Sequence, residues 1–244
     1  MYRLRYGLVL SNALCILSYS PLHTQLLQDL GYPCVREVPL YSALALDDVT
    51  AAGELPYKYD FIFFGGCSAR RAQLLSALQR DLPLCPQPLD DDDSFKSNID
   101  DEGRSSVQDR DCFRYVLSCV SWQTGVFDAM RHRNVLSSRL VLNIHTDEHS
   151  VLEAHRINYL LSLGRCVVSE RSDDLVLDAR YAAGLRFVGS EPGDMQTTVR
   201  ALLSNATALK ECEVAARSLF LQLSADTVQL ALAVEEAVLL ASNN

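Results

Sequence analysis

The stretch from Arg139 to Glu170 constrains the fold more than any other part of the chain. Leu140 to Ile144 is a short, mainly apolar run, and a polar loop with His145 and His149 follows it. A helical pattern then runs from about Ser150 to Leu163, Gly164 supplies a stop, and Cys166 to Ser169 is a second buried run. Two strands joined through a helix run parallel, because such a connection crosses over instead of folding back as a hairpin. Ligands of open α/β sheets sit outside the carboxyl ends of the strands, against helix N-termini, and His145 to Glu153 falls at such a place.

The alternation of strand and helix extends to both sides. Phe61 to Phe64 is unbroken apolar, as in a parallel strand covered on both faces. Gly65 and Gly66 read as a tight turn, Ser68 as an N-cap, and Leu74, Leu75 and Leu78 as the inner face of the next helix. Arg70 and Arg71 fall in its first turn, where guanidinium forks and backbone N–H groups can meet an anion. A solvated arginine pair beside an ordinary turn fits those residues equally well. The segment is neither a Walker A loop nor G-x-G-x-x-G. Cys112 to Trp122 reads as a strand, Gly125 to Arg139 as a helix, and Ser172 to Ser190 as a short helix with an edge strand. Glu191 to Asn205 starts another helix, and the remainder is helical throughout. The fold class is α/β, a Rossmann-like parallel sheet with helices on both faces.

Three domain-level units follow. Residues 1–55 hold one β-α-β unit, with Pro21 opening a helix that Gly31 ends, and then a linker. Residues 56–205 form the main domain, interrupted at 84–111 by a proline-rich, acidic segment that reads as a disordered insertion. Residues 206–244 are C-terminal helices. A net charge of -9 argues against a nucleic-acid partner. No run approaches the roughly 18–20 apolar residues of a membrane span. Eight cysteines without a C-x-x-C pair read as reduced, buried thiols of a cytoplasmic protein. Met1 to Ser20 is faintly like a signal peptide, but Ser11 and Asn12 interrupt it and no A-x-A site follows.

Three local patterns offer chemistry at the central loop. His145, Glu148 and His149 match H-x-x-E-H, but a zinc hydrolase needs both histidines one turn apart on a helix, and His145 ends a strand. Ser150-x-x-Glu153 matches a capping box, which makes Glu153 a structural residue. Arg156 shares a helical face with Glu153, so a plain surface ion pair is also open.

Taken together, "YDFIFFGGCSARRAQLLSAL", "SSRLVLNIH" and "LEAHRINYLLSLGRCVVSE" resemble the C-terminal, donor-binding half of GT-B glycosyltransferases of the group-1 type, which includes spore-maturation-like proteins. Residues 8–40 are similar to the segment that crosses from the N-terminal domain. The resemblance implies a nucleotide sugar as donor, an acceptor the sequence does not identify, and no cofactor or metal. It puts Gly65, Gly66, Arg70 and Arg71 near the diphosphate. It puts Asn143, His145, Glu153 and Arg156 near the nucleotide or sugar, with His145 and Glu153 as the catalytic candidates. The ribose-binding carboxylate that such proteins hold before the glycine of the next turn is replaced by Tyr159. A shortened N-terminal lobe leaves two readings: a glycosyltransferase or its donor-binding part, and a non-catalytic binding or scaffold module with a partner protein in place of the missing lobe.

Overall fold

A computed structural model describes residues 15–38, 56–66, 68–81, 116–117, 120–123, 128–147, 149–189 and 191–225, with 10, 13, 232, 235 and 239 singly. The strands are β1 (Ile16–Ser18), β2 (Val35–Glu37), β3 (Tyr59–Phe64), β4 (Val116–Leu117), β5 (Val120–Gln123), β6 (Ser138–Asn143), β7 (Cys166–Glu170) and β8 (Arg186–Val188). The helices are α1 (Pro21–Asp29), α2 (Ala69–Asp81), α3 (Asp128–Leu136), α4 (Ala154–Ser162), α5 (Leu175–Tyr181), α6 (Pro192–Ser204) and α7 (Ala206–Ala225).

The main sheet has the order β4-β5-β3-β6-β7-β8, parallel except where the edge strand β4 pairs with β5. Side chains of a strand alternate between faces, and here both faces are covered. Phe61, Phe63, Leu140 and Leu142 pack with Leu74, Leu75 and Leu78 of α2 and Val199 of α6. Ile62, Val141 and Val167 pack with Val135 of α3, Ile157 and Leu160 of α4, and Leu177 of α5. Helix α7 serves both layers, through Leu209 and Cys212 on one side and Ala216 and Leu219 on the other. Each large side chain sealed in this way contributes about 2–3 kcal/mol. The register sets Asn143 opposite Ser169, so the tips of the central strands β6 and β7 lie side by side.

The N-terminal β-α-β unit forms a parallel two-stranded sheet of its own, β1-β2. Ser20 caps α1 by accepting from the N–H of His23, Pro21 occupies the first turn, and Gly31 takes φ +84° beyond the end. One carboxylate fastens this unit to the main domain. Asp174 Oδ2 accepts from the Ser20 hydroxyl at 2.6 Å and the Leu22 N–H at 3.0 Å, while Oδ1 caps α5 through the Leu177 N–H at 3.0 Å. Arg180 adds an ion pair to Glu37 at 2.5 Å.

Several expectations need correction. Helix α4 begins at Ala154, not near Ser150, and Ser150 donates to the carbonyl of Asp147. Cys112 to Trp122 is not one strand: β4 and β5 pair as an antiparallel hairpin. The four cysteines among the described residues are bonded in the pairs Cys15–Cys34 and Cys166–Cys212, not reduced. Their sequence separations of 19 and 46 hide them from any search for close spacing; pairing of β1 with β2 and packing of α7 on β7 bring them together. The linker at 41–55 and the acidic segment 84–111 lie outside the described residues. Among the described residues no helix is long and apolar enough to cross a membrane.

Candidate functional site

The C-terminal ends of β3, β6 and β7 converge with the start of α2 and α4, and a polar network fills the junction. Asn143, fully buried at the tip of β6, organises it. Its amide Nδ2 donates to Glu153 Oε2 and to Ser169 Oγ, each at 3.0 Å, and its Oδ1 accepts from Arg156 Nη1 at 3.1 Å. Both N–H donors and one acceptor site of this amide are therefore used, and two of the three bonds hold Glu153 and Arg156 in place.

Glu153 stands at the N-cap position of α4 but makes no side-chain capping bond, which overturns the capping-box expectation. Its carboxylate turns inward. Oε2 lies 3.1 Å from His145 Nδ1, and Oε1 lies 3.7 Å from an Arg71 nitrogen. Burial alone raises the pKa of Glu153, but the contact and field of His145, the Asn143 amide and the charge of Arg156 outweigh it and hold the carboxyl at about 2. Arg156 donates to Asn143 and lies 5.4 Å from the centroid of the Phe64 ring, so it is not the plain surface partner of Glu153.

His145 is 2% exposed. Its approach to Glu153 is short but misaligned: the distance marks an electrostatic contact, and neither ring nitrogen has a formed hydrogen bond. Among the described residues four buried side-chain atoms lack a hydrogen-bond partner, and three of them are His145 Nδ1, His145 Nε2 and Arg131 Nε. A buried polar atom without a partner calls for an explanation, such as a water, an ion or a ligand.

The two arginines of α2 are largely engaged by the protein. Arg70 grips Glu170 with two bonds of 2.8 and 2.5 Å and donates to the carbonyl of His145 at 3.1 Å. Glu170 in turn accepts from the His145 N–H at 2.7 Å, so this pair shapes the loop that carries the histidine. Arg71, 3% exposed, donates to the carbonyls of Ile144 and Gly66, both at 2.9 Å. Ser68 caps α2 as expected, accepting from the N–H of Arg71. Gly65 and Gly66 do not take positive φ. The reason for glycine at 65 is space: a Cβ there would lie 3.0 Å from Phe63 and 3.4 Å from the guanidiniums of both Arg156 and Arg71.

The H-x-x-E-H residues do not share a site. His145 faces inward, whereas His149, with a side chain 90% exposed, contacts Asp173 at 3.2 Å, and Glu148 lies outside the described residues. Sequence reasoning missed Ser169, Glu170 and Arg131. A carboxylate ending an apolar strand is the signal that could have flagged Glu170.

Helix α3 brings Arg131 to this junction. Its guanidinium lies 4.8 Å from the centroid of the Tyr159 ring and 6.0 Å from that of Phe64. Tyr159 thus lies against Arg131, with its hydroxyl 3.4 Å from His132 Nδ1.

No protein-family model matches the chain, and no curated protein matches it. Solved structures do. Sucrose-phosphate synthase from Thermosynechococcus elongatus aligns with a TM-score of 0.64 at 15% identity, over 96% of this chain and 60% of that one. The Anabaena protein HepE, solved in complex with UDP and glucose, aligns with a TM-score of 0.64 at 12% identity, over 96% of this chain and 66% of its own. A glycosyltransferase from Rickettsia africae aligns with a TM-score of 0.60 at 10% identity, over 100% of this chain and 68% of its own. The chain therefore spans about 60% of the length of the first of these structures. Its architecture is the Rossmann-like fold found in GT-B glycosyltransferases.

Proposed function

We propose that the chain binds a nucleotide-sugar donor at the ends of β3, β6 and β7 and takes part in glycosyl transfer. The observation that carries this reading is the buried His145 ring, with no formed hydrogen bond on either nitrogen, beside an ionised Glu153 at the strand tips. The ligand position suits the fold, and HepE, of similar fold, was solved with UDP and glucose.

In the proposed reaction an acceptor hydroxyl attacks the anomeric carbon of the donor. The new C–O bond forms as the bond from that carbon to the diphosphate breaks, the nucleoside diphosphate departs with the electron pair, and the hydroxyl proton passes to a base. Glu153, held near pKa 2, is too weak a base to take that proton at neutral pH. Its work is to favour, through its charge 3.1 Å away, a proton on His145 Nδ1 and to accept from sugar hydroxyls. Nε2 of His145 then faces the reacting groups as an acceptor. Arg156 and the N-terminus of α4 supply positive charge for the departing diphosphate. Arg70, Arg71, Gly65 and Gly66 shape the floor beneath it, and Asn143 orients Glu153 and Arg156. The 56–205 segment acts in this reading as the donor domain.

A second reading, a binding or scaffold module completed by a partner protein, is favoured by the exposed Leu17, Leu22 and Leu26 on the separate N-terminal sheet unit. Cytoplasmic placement loses the support of free thiols, since bonded cysteine pairs are uncommon in a reducing cytosol.

A thermal-shift screen with UDP, GDP, ADP and their sugars tests donor binding. A ligand at 100 times its Kd adds about 2.7 kcal/mol, which raises the melting temperature by several degrees. Absence of a shift with every nucleotide, or an equal shift in Glu153→Ala, overturns the reading. Sugar transfer or donor hydrolysis by the wild type separates an enzyme from a binding module.

A further inference from the structure

We propose that Arg131 is a phosphate-binding residue of this site, gripping the diphosphate of the ligand together with Arg156. The inference deepens the donor-site reading and rests on it for the identity of the ligand, but its geometry stands separately.

The other arginines at the junction have oxygen partners within the chain. Arg70 has Glu170 and a carbonyl, Arg71 has two carbonyls, and Arg156 has Asn143 Oδ1. Arg131 has no ion pair with any carboxylate among the described residues; its one oxygen contact among them is the Tyr159 hydroxyl, whose ionised form its charge favours, and the rings of Tyr159 and Phe64 lie against its guanidinium. Ring faces attract a cation but leave the rim of N–H donors to be filled. Its Nε is shielded from solvent and has no acceptor.

Phe64 also lies near Arg156, so two guanidiniums converge on one ring at the end of β3, beside the Gly65 turn. Two like charges held together repel, and the field of Arg131 contributes, after burial, to lowering the pKa of Arg156. A ligand carrying at least two negative charges and several acceptor oxygens relieves that repulsion and fills the open donors. A planar guanidinium fork matches phosphate oxygens in pairs, which points to a diphosphate in preference to a sugar hydroxyl or a nucleobase.

Titration calorimetry on the full chain tests this with pyrophosphate, with UDP, GDP and ADP, and with the corresponding nucleosides. Arg131→Gln is expected to weaken the best nucleoside diphosphate by about tenfold or more, the worth of one charge-assisted hydrogen bond. The matching nucleoside should bind the variant and the wild type alike. The dependence of log K on log salt should become shallower in Arg131→Gln, because one cation fewer meets the phosphates. An unchanged Kd for the nucleoside diphosphate overturns the assignment while leaving donor binding intact, and so does equal weakening of nucleoside and diphosphate. If pyrophosphate binds the wild type but not Arg131→Gln, and no nucleotide binds better than pyrophosphate, the phosphate site stands and the donor reading falls. If neither pyrophosphate nor any nucleotide binds, both fall. Should Arg131→Gln melt well below the wild type, Arg131→Lys gives the comparison: it keeps the charge and loses the fork, and is expected to bind the diphosphate more weakly than the wild type at an unchanged melting temperature. Wild-type affinity in the lysine variant then rejects the fork geometry.

Discussion

Removing the Asp174 carboxylate should detach the N-terminal unit from the sheet domain. This residue is 2% exposed, and its two oxygens serve the Ser20 hydroxyl, the Leu22 N–H near the start of α1 and the Leu177 N–H near the start of α5. Loss of a helix cap costs about 1 kcal/mol, and here two helix starts depend on one side chain. Asp174→Ala also leaves the O–H donor of the fully buried Ser20 without its acceptor, which adds about 1 kcal/mol or more. The expected loss is about 3 kcal/mol, which for a chain of this size corresponds to roughly 6–12 °C in melting temperature. Asp174→Asn, which keeps one acceptor oxygen, should lose about half as much. Denaturant unfolding of Asp174→Ala, Ser20→Ala and the double variant supplies the test, because two groups that bond each other give a double loss smaller than the sum. Strict additivity, or a loss below about 0.5 kcal/mol for Asp174→Ala, refutes the pin, since such a loss belongs to an ordinary surface substitution. The pH dependence has a definite sign. Burial raises the pKa of Asp174, but the bonds from Ser20, Leu22 and Leu177 and the charge of Arg180 bring it below the ordinary 3.8. The contribution is therefore complete above the unfolded-state value and disappears as pH falls through the folded-state value.

Glu153 should act in the same direction. With a folded-state pKa of about 2 against 4.5, it contributes stability that is present above about pH 4.5 and lost as the pH falls toward 2. The full amplitude is on the order of 3 kcal/mol, and Glu153→Gln should flatten the stability profile in that window; an unchanged profile contradicts the network drawn around Asn143. The cysteines give a chemical test: denatured, unreduced protein should show the thiols of Cys15, Cys34, Cys166 and Cys212 as unreactive. Replacing both Cys166 and Cys212 by serine should cost about 2–4 kcal/mol, measured by denaturant unfolding, and a neutral result rejects a structural role for that bond.

Much of the fold was legible because backbone and core requirements are local. Phe61 to Phe64 had to be covered on both faces, and Gly31 and Gly164 each occupy a positive φ beyond a helix end. The site was legible in part. Asn143, His145, Glu153 and Arg156 do meet at one strand tip, as strand and helix spacing implied. The start of α4 was not legible, because Ser150-x-x-Glu153 satisfies a local capping rule while partners from other elements claim the Glu153 carboxylate. The same reason hid the engagement of Arg70, whose partner Glu170 is 100 residues away, and the approach of Arg131 to Tyr159. Bonded cysteines escaped notice because the pairing depends on tertiary contacts across strands and helices.

Donor binding at the strand tips is most directly tested by following the five histidine rings by NMR during titration with nucleotide sugars. The account predicts that the ring signals of the buried His145 move and saturate with the ligand, while those of the exposed His149, held against Asp173, stay in place. Saturable nucleotide binding that leaves His145 unmoved, or no binding of any nucleotide sugar, contradicts it.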